Sequence, residues 1–234
     1  MDFKNKVALV TGGSSGLGKA TAELLINKGA KVLITGRNQA KLKRVADEIG
    51  AQSFCGDVSN DDEVEKMFDY LKEQVGSLDI LINNAGIGSE WLEVDQLTRE
   101  AMRKIYDVNV FGAAVVGAKA AAIFKEKKSG NIVNIASTAG LKGFARGSVY
   151  ASSKFALRGM TQCWQAELRP YNVRVIGVNP SEVPTAFNQE NREERSNEPQ
   201  KLTSHEIAHA IVSTLEMDNR GFIPELSVWA TNPF

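Results

Sequence analysis

The stretch Thr11-Gly12-Gly13-Ser14-Ser15-Gly16-Leu17-Gly18 constrains this chain most. A short apolar run, Val7-Ala8-Leu9-Val10, precedes it. Lys19 to Lys28 follows, with Ala20, Leu24 and Leu25 spaced to bury one helix face. The order is therefore strand, glycine turn, helix. Glycine admits backbone angles that other residues avoid and lets the chain approach a bound group closely. Such a turn aims the N–H groups and positive dipole end of a helix at an anion, so a phosphate-bearing ligand is expected.

Two motifs compete for this stretch. Gly13 to Lys19 nearly matches a P-loop, but Ala20 stands where that loop needs a Ser or Thr hydroxyl for Mg²⁺. The spacing Thr-Gly-x-x-x-Gly-x-Gly instead suits a dinucleotide turn of Rossmann type, and the rest of the chain has to decide.

The 234 residues suit one α/β domain, 1–234, with no linker in sight. Lys+Arg and Asp+Glu both number 28, so no net charge draws the chain to nucleic acid or anionic lipid. Cys55 and Cys163 form no motif, which fits a reducing, cytoplasmic compartment. No signal peptide is visible. The most apolar run, Val110 to Ala118, is too short to span a bilayer and is followed by Lys119.

Strand-like and helix-like segments alternate along the chain. Strands are expected at Lys31–Thr35, Ala51–Cys55, Leu78–Ile82, Ile132–Ala136 and Val173–Val178. Helices are expected at about Gln39–Ile49, from Asp57-Val58-Ser59 to about Val75, at Thr98–Lys127, and at Val149–Leu168 before Pro170. Short strands with consecutive apolar residues are buried on both faces, which argues for a parallel sheet covered by helices on both sides. Ligands bind at the carboxyl ends of such strands.

The residues after each strand carry the chemistry. Thr35-Gly36-Arg37 has no acid to hold ribose hydroxyls, whereas Arg37 can pair with a 2′-phosphate. That favours NADP(H), with NAD(H) as the alternative. A solvated loop arginine is the plainer reading. Ser14 and Ser15 offer further hydroxyls. Asp57 can accept from an adenine amino group, with Val58 beside the ring; its plainer role, or that of Ser59, is a helix N-cap. Asn83-Asn84-Ala85-Gly86 can floor a cofactor groove. Ser137 ends the fifth strand. Tyr150 and Lys154 lie four apart and share a helix face. A free tyrosine titrates near ~10, and a nearby ammonium lowers that value. Alone, the pair would read as a surface contact.

Together, Thr11–Gly18, Asp57, Asn83–Gly86, Asn109, Ser137, Tyr150-Ala151-Ser152-Ser153-Lys154 and Asn179-Pro180 resemble the short-chain dehydrogenase/reductase family in order and spacing, from residue 6 to about 185. The resemblance implies one doubly wound Rossmann fold with a seven-stranded parallel sheet and helices on both faces. It implies reversible carbonyl reduction by hydride transfer from a nicotinamide. Tyr150 would be the general acid in reduction and the base in oxidation. Lys154 would lower its pKa and hold the nicotinamide ribose, Ser137 would orient the carbonyl, and Asn109 would hold a water leading to solvent. Gly12, Ser14, Ser15, Gly16, Leu17, Gly18, Arg37, Asp57, Val58, Asn84, Ala85, Gly86, Tyr150, Lys154, Pro180, Val183 and Thr185 would contact the cofactor.

Ser181 departs from the family's usual glycine, and the tail Phe222–Phe234 departs from its usual ending. A homodimer through the helices near 98–127 and 149–168 is expected, with a homotetramer as the alternative. The polar segment near 186–202 would cover a small-molecule carbonyl or alcohol substrate. The 3-oxoacyl-carrier-protein reductases are similar over the cofactor half, so a carrier-bound acyl group is a candidate, with Arg146 and Arg158 available to an acidic carrier. The rival class is a non-catalytic NADP(H)-binding sensor or scaffold. His205-Glu206-Ile207-Ala208-His209 matches zincin spacing, but Thr203 and Glu206 read better as a capping box, and no metal is expected.

Overall fold

The computed structural model describes residues 1–187 and 198–232. Its strands are β1 (Val7–Val10), β2 (Lys31–Gly36), β3 (Gln52–Cys55), β4 (Ile80–Asn83), β5 (Gly130–Ile135), β6 (Val173–Pro180) and β7 (Glu225–Val228). All pair in parallel, in the order β3-β2-β1-β4-β5-β6-β7. The helices are α1 (Gly16–Asn27), α2 (Gln39–Ile49), α3 (Asp61–Tyr70), α4 (Arg99–Tyr106), α5 (Ala113–Lys127), α6 (Ser148–Leu168) and α7 (Ser204–Glu216). The strand order reverses between β1 and β4, the point at whose carboxyl ends sheets of this kind form their ligand crevice.

Consecutive apolar residues in the strands feed two cores. In β1, Ala8 and Val10 face one side, with Leu25 of α1, Leu42 of α2 and Ile211 of α7. Leu9 faces the other, with Met67 of α3 and Val116 and Phe124 of α5. Side chains alternate across a strand, so an unbroken apolar run is what a doubly covered sheet demands.

Several local expectations shift. The helix after β3 is capped by Asn60, whose side chain accepts from Asp62 and Glu63 N–H, not by Asp57 or Ser59. α4 and α5 join through a π-helical turn, Asp107–Gly112, into one 29-residue helix, Arg99–Lys127. That joined helix is long and apolar enough to cross a membrane by length and composition only, and half of its most apolar window is buried inside the protein. Here Val116, Ala120 and Phe124 bury its inner face against Leu81 and Ile132. The tail supplies β7, paired with Gly177–Pro180. Ser181 N–H continues that pairing to Val228 O at 2.9 Å. Ser181 is not among the left-handed residues, so its backbone does not require glycine.

Candidate active site

The glycine turn closes tightly on itself. Gly12 and Gly16 have φ of 65° and 52°, in the left-handed region. A Cβ on Gly18 would lie 2.4 Å from Gly12 O, and one on Gly13 would lie 2.6 Å from Ile34 Cβ. Thr11 Oγ1 accepts from Asn84 N–H (3.0 Å) and Ala85 N–H (2.9 Å). Asn84 Nδ2 donates back to Thr11 O (2.9 Å) and Gly12 O (3.2 Å). Asn84, expected beside the adenosine, thus braces the turn. Ser15 is extended and makes no side-chain cap, and the first turn of α1 carries no acid. The positive end of α1 therefore faces the crevice without an acidic side chain in its first turn. Ser14 Oγ lies beside Gly36, and Thr185 faces Gly16 across the crevice, 3.2 Å from where a Cβ would sit.

At the ends of β2 and β3, Arg37 Nη1 and Asp57 Oδ2 form an ion pair at 3.5 Å. Asp57 Oδ1 also accepts from Ser59 N–H (2.9 Å) and Oγ–H (2.8 Å). Burial pushes the Asp57 carboxyl up, but the Ser59 hydrogen bonds and the Arg37 charge outweigh it and hold the carboxyl below its usual range. Val58 is buried and packs into the α3/α5 core.

Ser137 follows the end of β5, with its Oγ accepting from Ala139 N–H at 3.1 Å. Its hydroxyl also lies near enough to Tyr150 to favour the phenolate. Tyr150 and Lys154 occupy the first two turns of α6, with Lys154 Nζ 5.8 Å from the Tyr150 ring centroid. Lys154 Nζ donates to Ile135 O at 3.0 Å. Burial pushes the Tyr150 hydroxyl up to about 12, although the nearby Ser137 hydroxyl opposes this. Burial lowers Lys154 to about 8. Desolvation is the largest cause for both groups.

Asn109 lies on the π-helical turn, a distortion that recurs at functional sites. Its Oδ1 accepts from Ile87 N–H (2.8 Å), and its Nδ2 donates to Ile87 O (2.9 Å) and Ser153 Oγ (3.2 Å). Gly86 fits between Asn109 and Lys154. A Cβ there would sit 3.3 Å from Asn109 Oδ1 and 3.5 Å from Lys154 Nζ. Motif reading missed Ser153 and Phe187, whose ring centroid stands 5.8 Å from that of Tyr150.

Residues 6–196 match the family model of the short chain dehydrogenases. The chain belongs to that family. This short-chain dehydrogenase is 33% identical over 236 residues to an uncharacterized oxidoreductase of Staphylococcus saprophyticus, covering 97% of this chain and 98% of the relative. Its fold superposes on 3-ketoacyl-(acyl-carrier-protein) reductase from Brucella melitensis complexed with NADH, with a TM-score of 0.88 at 28% identity and coverage of 99% and 100%. A serine dehydrogenase complexed with NADP⁺ gives 0.86 at 27% identity, covering 95% and 94%. The chain is thus an oxidoreductase of this family.

The short-chain dehydrogenase places its other expected residues as follows. Pro180 ends β6, and Val183 packs on the α1/α7 core. Thr185 is buried, its Oγ1 accepting from Phe187 N–H at 3.1 Å. Most of the expected substrate segment, residues 188–197, lies outside the described residues. At its far end, Lys201 pairs with Glu182 (2.9 Å) and Glu198 (3.0 Å). Arg158 is engaged by Glu225 through two contacts (2.6 and 3.0 Å), and Arg146 by Trp91 O and Glu93. His205 and His209 are both exposed, and Thr203 and Glu206 close the capping box.

Proposed function

We propose that this enzyme interconverts a carbonyl compound and a secondary alcohol with NADP(H), and that one domain, 1–234, holds both the nucleotide groove and the reacting groups. The observation that carries the reading is the convergence of Ser137, Tyr150 and Lys154 beside the glycine turn. The turn fits a pyrophosphate: side chains at Gly13 or Gly18 would collide with the protein, and Ser15 at the start of α1 makes no side-chain cap. Gly12, Ser14, Ser15, Gly16, Leu17, Gly18, Asp57, Val58, Asn84, Ala85, Gly86, Pro180, Val183 and Thr185 line that proposed groove. When bound, the nicotinamide nucleotide supplies or takes the hydride.

Ser137 and Tyr150 hydroxyls hold the carbonyl oxygen. Tyr150 Oη–H gives its proton to the developing alkoxide, and the Lys154 ammonium stabilises the phenolate left behind. Asn109 holds the Ile87 backbone and Ser153 in place beside Lys154. Arg37 leaves Asp57 to pair with a 2′-phosphate, at little cost, since exposed ion pairs contribute about 0–1 kcal/mol. The serine dehydrogenase with NADP⁺ and the Brucella reductase with NADH show that both nucleotides occur among the structural neighbours, and Arg37 favours the phosphorylated one.

Fluorescence titration tests the cofactor: NADPH binds at least about tenfold more tightly than NADH. Tyr150→Phe keeps that affinity and loses about 10²–10⁴-fold in kcat. Full activity in Tyr150→Phe overturns the reading.

A further inference from the structure

We propose that Trp91 and Phe144 form a substrate-selecting rim, and that the preferred substrate is a ketone with a flat, apolar ring body. This rests on the reading of Tyr150 as the group that meets the carbonyl. Three exposed aromatics leave the carboxyl ends of three strands: Trp91 (44% exposed) after β4, Phe144 (47%) after β5 and Phe187 (39%) after β6. Trp91 and Phe144 stack on each other across their loops, with centroids 5.7 Å apart and planes tilted by 60°. Phe187 stands against Tyr150 itself.

The Trp91–Phe144 pair is held in place. Arg146 donates from Nε (3.1 Å) and Nη2 (2.7 Å) to Trp91 O, and Glu93 sits 3.4 Å from Nε. Arg146 itself has φ of 63°, a left-handed backbone that non-glycine residues seldom adopt. A Cβ on Gly147 would lie 2.5 Å from the Phe144 ring, so that ring rests on the N-cap of α6, one turn before Tyr150. Of the two arginines that a carrier or a charged substrate would use, Arg158 is bonded twice by Glu225, and Arg146 is held by its two hydrogen bonds to Trp91 O rather than by its exposed pair with Glu93. What remains at this rim is aromatic surface in contact with water. A flat apolar body covers it favourably, and a small polar substrate leaves it wet.

The test uses the full chain with three probes: 1-tetralone, butanone and acetoacetyl-pantetheine. Ketone binding is read by calorimetry and turnover by NADPH oxidation. In the wild type, kcat/KM for 1-tetralone exceeds that for butanone about 100-fold. Trp91→Ala and Phe144→Ala lower that ratio about tenfold, mainly through KM. Both positions are exposed, and Trp91→Leu and Phe144→Leu give intermediate ratios if apolar contact is the cause. An unchanged ratio, or a preference for the thioester over 1-tetralone, overturns the proposal. If NADPH binds and 1-tetralone does not, the rim fails while the cofactor reading stands. If 1-tetralone binds in a Trp91-dependent way and neither NADPH nor NADH binds, the rim stands and the hydride-transfer reading fails.

Discussion

Lys154 shows what a single functional residue costs this fold. Its ammonium is 4% exposed, and Ile135 O accepts from it. Burial holds its pKa near 8 against a usual 10.5. Between those values the unfolded chain keeps a proton that the folded chain has released, so stability rises with pH across that window. Tyr150 acts in the opposite sense: from 10 to about 12 the folded state keeps a proton that the unfolded state has lost, and stability falls. Melting temperatures of the wild type at pH 7 and pH 9.5 should therefore show a rise that Lys154→Met abolishes, while that variant also loses turnover. The rise corresponds to about 2 kcal/mol, since pH 9.5 stops short of the unfolded lysine's own titration. A Tyr and a Lys four apart are legible in a sequence because they share a helix turn. The direction of their pKa shifts is not, because it depends on β5 and α6 closing over both groups.

At the scale of elements, the turn into α1 leaves the least room for change. Gly18→Ala places a methyl 2.4 Å from Gly12 O, which the backbone can relieve only by moving the turn. Overpacking of this kind costs about 1–3 kcal/mol. The variant should melt at a lower temperature and bind NADPH at least about tenfold more weakly in the same fluorescence titration, because the displaced N–H groups are those proposed to meet the phosphates. The strand–turn–helix order and the apolar runs were readable because their periods are local. Features set by distant partners were not. β6 reaches Pro180 because Val228 pairs with it, β7 exists only as an edge beside β6, and Thr185 meets Gly16 from the far end of the chain. The π-helical turn was equally hidden, since Asp107–Gly112 keeps an ordinary helical pattern of residues.

Across the whole molecule, Arg174 is the tie between sheet and last helix. From β6 it donates to Asn131 Oδ1 of β5 (2.6 Å), to Leu215 O (3.0 Å) and to Met217 O (3.1 Å) at the end of α7. Burial lowers its pKa, as expected for a cation held away from water. Arg174→Met removes all three of these hydrogen bonds, leaving the Met1 ammonium still donating to Leu215 O (3.4 Å) and Met217 O (3.1 Å), and should lower stability by about 2–4 kcal/mol in urea denaturation. α7 packs with α1 in the same core, so this loss also loosens the support behind the glycine turn. The Ser137–Tyr150 pair has a consequence of another kind. On the proposed chemistry, two hydroxyls on one wall would pin a ketone oxygen from a single direction, and a ring leaning on Trp91 and Phe144 would fix its rotation. Only one face of a prochiral carbonyl would then look toward the nucleotide groove. The proposal therefore predicts a handed reaction: chiral chromatography should find one enantiomer of the alcohol after reduction, and oxidation of a racemate should stop at half conversion.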